Sequence, residues 1–266
     1  MVVGLGIVFI VCLAFTTRGQ TEKIAATLAF NALVIIAAAA ALLLGAGVMA
    51  VSAASMMGML LLTLFYQNGV NAKTKAVFIA MLVVIAVMAV CVWWVCRRAG
   101  IYGLNERTWE EDEILMMNLH LRIDMLAVGV FVMLMGLLGA AKDSAMAVAS
   151  GTFEVMRCHP GMSRAAIVRS GMAIGRDVLG ITINTLFFAA IGESLLLVQL
   201  YFDCHYSLGA LLNAKSLFQA AMPVLVGGIG VELSIPVTAA VMAVYGVRKI
   251  RQSAESEAPG EGPAAG

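Results

Sequence analysis

Asp143, Asp177 and Glu232 are carboxylates at the edge of, or inside, long apolar runs. An ionised group is expensive in hydrocarbon, so each is a functional candidate by position alone. Around the first, the chain reads Lys142-Asp143-Ser144 and continues to Ser150 and Glu154. On a helix turning about 100° per residue, Asp143, Ser150 and Glu154 fall within about 20° of one line, with the small Ala147 between them. Such a stripe suits a hydrated path, a partner helix or, on a surface helix, bulk water.

The second carboxylate opens another apolar run as Gly175-Arg176-Asp177, followed by Gly180 and Asn184. Asp177, Gly180 and Asn184 share one helical face at spacings i, i+3 and i+7. An Asn two turns into a span finds a hydrogen-bond partner on another helix or lines water. Arg176 and Asp177 also fit the role of interfacial anchors, the Arg stem reaching out to the headgroups. The third carboxylate sits in Gly227-Gly228-Ile229-Gly230-Val231-Glu232-Leu233-Ser234-Ile235-Pro236. Pro236 cannot donate to the carbonyl of Glu232, and the glycines before it ease unwinding. The expectation is a kinked or interrupted helix near mid-membrane, either lining a cavity or serving packing alone.

Other chemistry has little support. His120, His159 and His205 lie far apart, and Asp203-Cys204-His205 are adjacent residues that do not converge on one ion without a turn. Five scattered cysteines without a C-x-x-C suggest neither a disulfide framework nor a zinc site. No Ser/His/Asp arrangement, phosphate-binding glycine loop or zinc-protease motif occurs, so no catalytic residue, metal or cofactor is expected.

The elements that carry these residues follow from composition. Of 266 residues, 62% are hydrophobic and 12% are charged, against roughly 25% charged in a soluble domain. A water-soluble fold of this length lacks the interior to hide so much apolar side chain. A net charge of +1 without a basic run gives no footprint for nucleic acid. The apolar blocks are continuous, which excludes the alternation of a membrane barrel. The chain therefore reads as all-α: a polytopic helical bundle in which the bilayer itself is the first partner.

A span needs about 20 helical residues. Seven blocks qualify or nearly do: Val2 to Thr16, Ala25 to Gly45, Val48 to Phe65, Ala76 to Cys96, Met125 to Ala141, Gly175 to Tyr201 and Met222 to Tyr245. The first has no preceding basic residues and no A-x-A site, so an uncleaved helix is expected rather than a signal peptide. With the N-terminus outside and the C-terminus inside, the inner segments hold 12 of the 17 basic residues, as the positive-inside rule requires. The acidic run Glu110 to Glu113 then falls outside, and Arg97-Arg98 is the one basic pair at an outer end. The segment from Lys142 to Ser170 is expected to form an extra helix between spans five and six, either amphipathic on the surface or re-entrant. Residues 1–251 make one transmembrane domain, and 252–266, rich in Glu, Pro, Ala and Gly, a disordered cytoplasmic tail.

Several local sequences together resemble the YibE/F family of bacterial multi-span membrane proteins, in particular its shorter, YibF-like members. They are Asn68-Gly69-Val70-Asn71-Ala72-Lys73-Thr74, Tyr102-Gly103-Leu104-Asn105-Glu106, Gly139-Ala140-Ala141-Lys142-Asp143 with Ala149-Ser150, Gly175-Arg176-Asp177 with Asn184-Thr185-Leu186, and Gly228-Ile229-Gly230 with Pro236. The resemblance runs to about Gly246. It implies a multi-pass protein of the bacterial cytoplasmic membrane, sometimes encoded beside a related, longer YibE-like protein, and it implies no mechanism. Lys142, Glu193 and Glu232 depart from it, standing where uncharged residues are usual.

Two functions fit these observations. One is a transporter, permease or transporter subunit for an ion or small solute, with Asp143, Ser150, Glu154, Arg176, Asp177, Asn184, Glu232 and Pro236 along its pathway or polar core. The other is a non-transporting scaffold that pairs with the YibE-like protein or with itself. An enzyme is not expected, because no nucleophile and base stand at one depth.

Overall fold

The computed structural model describes residues 2–17, 21–99, 124–203, 207, 209 and 215–257. The described residues hold seven α-helices and no strand: α1 (Val2–Thr17), α2 (Thr21–Leu43), α3 (Val48–Leu61), α4 (Ala72–Ala99), α5 (Met125–Cys158), α6 (Arg164–Asp203) and α7 (Lys215–Glu257). Six, α2 through α7, are long and apolar enough to cross a membrane, α3 doing so together with the turn that follows it. The first apolar block forms α1, a helix of 16 residues. The acidic run at 110–113, the motif at 102–106 and the Cys204-His205 pair lie outside the described residues.

The chain divides into two compact units, one holding α1 to α3 and the other α4 to α7. In the first, α2 and α3 are joined by a tight turn at Leu44–Gly45, where Gly45 takes a φ of +84° that a side chain would resist. From Leu62 to Gln67 α3 widens into a π-helical turn. A π turn leaves a carbonyl without its usual donor, and here the Asn68 side-chain amide donates to the Thr63 carbonyl at 2.8 Å. Tyr66 in this turn meets Phe30 of α2 edge to face at 6.2 Å, a favoured aromatic geometry.

In the second unit α7 packs against α4, α5 and α6, while α5 also touches α4 and α6. The inward face of α4 repeats every three to four residues through Val77, Met81, Val84, Met88 and Val92, all buried, and its outward face carries Ile79, Leu82, Val83, Val87, Val90 and Trp94. A bulky aliphatic outer face is what hydrocarbon accepts. At its far end the guanidinium of Arg97 lies 5.2 Å from the Trp93 ring and that of Arg98 lies 5.7 Å from Trp94. Stacked cations on tryptophan suit a membrane–water boundary, which accommodates the basic pair at this helix end.

Two sequence expectations are corrected here. No separate helix intervenes between the fifth and sixth spans: α5 runs unbroken to Cys158, so residues 142–158 continue the span. Nothing before Pro160 interrupts the helical pattern; Pro160 and Gly161, with φ +105°, make the turn. The next helix is then started by Ser163, whose hydroxyl accepts the Ala166 N–H at 3.3 Å, an N-cap. Nor is α7 interrupted at Pro236, because it is helical from Lys215 to Glu257 through both Pro223 and Pro236.

Candidate functional site

The helices around the candidate residues approach closely because their contacts are glycines. A Cβ on Gly171 of α6 would sit 2.8 Å from that of Ala239 on α7 and 3.1 Å from the Thr152 hydroxyl on α5. One turn on, a Cβ on Gly175 would overlap Ile235 of α7. Gly151 of α5 leaves room for Ile174 of α6, and Gly230 of α7 for Leu137 of α5. Small residues at contacts are how membrane helices gain packing without a hydrophobic drive between them. The i, i+4 pair Gly171 and Gly175 carried this signal in the sequence, and the polar-residue reading passed over it.

These contacts fix the register. Ser144 of α5 and Thr182 of α6 place their hydroxyls 3.4 Å apart. Asp143 and Asn184 therefore stand within two residues of the same interhelical contact. Gly151 against Ile174 likewise sets Ser150 and Asp177 at nearby levels.

They also fix which way each candidate faces. On α6, Ile174 turns to α5 and Gly175 to α7. Arg176, about 100° further round, points out on the side away from α5. Asp177, another 100° on, points out on the side next to α5, and Asn184 shares that direction. Asp143, Ala147 and Glu154 are exposed along one outward line of α5 that Gly136 and Gly139 extend and the half-buried Ser150 joins. Five candidates thus share one outward face of the α5–α6 pair: Asp143, Ser150, Glu154, Asp177 and Asn184.

The other three lie elsewhere. Glu232 and Pro236 are exposed on a stripe of α7 with Leu225, Ile229, Ala240 and Val244. On that helix Gly230 faces α5 and Ile235 faces α6. Glu232 lies about 60° beyond Ile235 on the side opposite Gly230, so it shares the outward side of Arg176.

The two faces differ electrostatically. On the first, Lys142 Nζ lies 3.2 Å from Asp143 Oδ1 and an Arg157 guanidinium nitrogen 3.7 Å from Glu154. Asp177 has no ion-pair partner among the described residues. On the second, Arg176 and Glu232 are both exposed and neither has an ion-pair partner among the described residues. Each stands within one turn of the Gly175–Ile235 contact.

Behind both faces lie buried hydroxyls that sequence reasoning missed. Thr74, Ser144, Thr152, Ser234 and Thr238 are at most 1% exposed. Ser234 donates to the Val231 carbonyl at 2.7 Å, whereas the Thr152 and Thr238 hydroxyls have no partner among the described residues. Lys73 sits over the Phe153 ring at 5.4 Å, which brings Thr74 to the level of Thr152.

No curated protein and no solved structure matches the chain. The model of the YibE/F-like protein family matches residues 5–248. With nearly the whole chain matched, and with apolar helices of membrane-spanning length, this is a multi-span membrane protein that belongs to the YibE/F family.

Proposed function

We propose that this protein is a subunit of a membrane transporter for an ion or small solute, and that its polar pathway runs along the outward face of α5 and α6. The observation that carries the reading is that face itself. Asp143, Glu154, Asp177 and Asn184 are exposed on stretches apolar enough to span a bilayer, and hydrocarbon does not solvate such groups. The face therefore meets water, protein or both. A hydrated groove closed on its far side by another subunit meets every requirement, with Asp177 as the carboxylate free to take a cation. The topology that goes with this reading is seven spans in a bacterial cytoplasmic membrane, N-terminus outside and C-terminus inside.

A second reading has its own observation. Before and between the acids the α5 line is small, Gly136 and Gly139 and then Ala147 and Ser150, unlike the bulky outer face of α4. Small residues on an outward line let another helix come close. They favour a scaffold that docks a membrane partner, a YibE-like protein first among them, without transport.

Flux measurements in proteoliposomes separate the two. Protein purified with its native partner is sealed in vesicles carrying a pH-sensitive dye or sodium- and potassium-sensitive dyes. The transport reading expects a gradient-driven flux that Asp177→Asn lowers at least tenfold. No flux of any of these ions, together with an undisturbed complex, leaves the scaffold.

A further inference from the structure

Arg176 and Glu232 lie on one outward face of the α6–α7 pair, turned about 100° on α6 from the face of the proposed pathway. Glu232 is one residue from the middle of the apolar stretch Ala221–Tyr245, and Arg176 stands near the start of the apolar run Gly175 to Tyr201. Gly175 meets Ile235 between them, so the cation and the anion share one depth. On the side of Ile183 of α6 and Leu225 and Ile229 of α7, all exposed, the face is apolar, while Arg169 lies two turns away on the line of Arg176. Lipid at that depth offers neither charge a polar partner.

We propose that this face binds a second copy of the same chain across a two-fold axis normal to the membrane. Such an axis preserves depth and exchanges the helices, so α6 of one copy lies against α7 of the other. Arg176 then meets Glu232 of the other copy, and Glu232 meets Arg176, making two reciprocal ion pairs away from water. The face carries one charge of each sign at the same level, which makes it complementary to itself. A partner with only acidic or only basic groups at that depth would leave one charge unmet. The inference rests on the placement of these two residues and does not require transport.

Charge inversion tests it on the full-length chain. Arg176→Glu gives a face with two anions, and Glu232→Arg gives one with two cations. Differently tagged copies are expressed in the same membranes and isolated in mild detergent, and particle mass is measured. Wild type is expected to be dimeric, and each variant alone to lose at least nine-tenths of its self-association. The two variants expressed together are expected to recover the complex, because every inverted residue then meets its opposite. That recovery also shows that both chains are folded. A second pair of variants leaves the charges intact: with native cysteines replaced, Ile183→Cys on one copy and Ile229→Cys on the other should form an intermolecular disulfide. A monomeric wild type, self-association of either inverted variant at wild-type level, or absence of the disulfide between copies of a dimeric wild type each overturns the proposal.

Discussion

Thr152 and Thr238 bury their hydroxyls without a hydrogen-bond partner among the described residues, and a buried polar group left unpaired costs about 1–3 kcal/mol. Replacement by a side chain of the same shape removes that cost. Thr152→Val and Thr238→Val are therefore each expected to raise thermal stability, by about 1 kcal/mol, read as a higher melting temperature of the purified protein. Ser144→Ala is expected to lower it slightly, since that hydroxyl faces Thr182. At this scale the sequence was half legible. The line through Asp143, Ala147, Ser150 and Glu154 follows from helical periodicity alone, and the structure places all four on one outward-facing line. The buried threonines are invisible without knowing that α4, α5 and α7 meet there, because a threonine in an apolar run looks the same on either face.

At the scale of elements, α6 and α7 are held by contacts that admit no side chain at Gly175. Gly175→Leu must push the helices apart, and overpacking of this kind costs about 1–3 kcal/mol. The melting temperature should fall, whereas Gly180→Ala should raise it, because nothing lies within 4 Å of a Cβ there and alanine is favoured over glycine in a helix by about 1 kcal/mol. Pro236 gives a prediction of opposite sign. It sits exposed in a continuous helix, where proline is disfavoured by up to about 3 kcal/mol relative to alanine. Pro236→Ala should restore a donor to the Glu232 carbonyl and raise stability, as a helix that did not need a break would show. Of the kinked or interrupted helix read from three glycines and a proline, the structure excludes the interruption, and for a physical reason. Gly230 is fully buried against Leu137, so one of those glycines serves close packing and not unwinding. The expected helix between spans five and six failed for a related reason: polar residues at Lys142, Asp143 and Ser144 suggested a boundary, yet no helix breaker precedes Pro160. Charge marks the surface of an element and says little about where it ends.

The whole molecule was the most legible scale. The scarcity of charge put the chain in a membrane, and the length of the apolar blocks located the helices to within a few residues at most ends. What composition could not supply was the direction of the exceptions. Eight polar, charged or helix-breaking candidates in the last three helices suggested one shared interior, and the structure instead turns them outward on two faces. Five lie together on α5 and α6; Arg176, Glu232 and Pro236 lie on another side of α6 and on α7. That division depends on Ile174, Gly175 and Gly230, the contact residues that set each helix's rotation. On the function proposed here, polar groups on outward faces make the protein a component, completed by what packs against it.

The central claim is that the α5–α6 face meets water along its length. The most direct measurement is thiol labelling in intact membranes, with native cysteines replaced and single cysteines placed at Asp143, Ser150, Asp177 and Asn184. A small, charged, membrane-impermeant maleimide is the probe, and Leu82→Cys and Val90→Cys on the outer face of α4 are the lipid-facing controls. The account predicts labelling at all four positions at least tenfold faster than at the controls, with Gly139→Cys and Ala147→Cys on the same line also reacting. Four positions as inert as Leu82→Cys would contradict it.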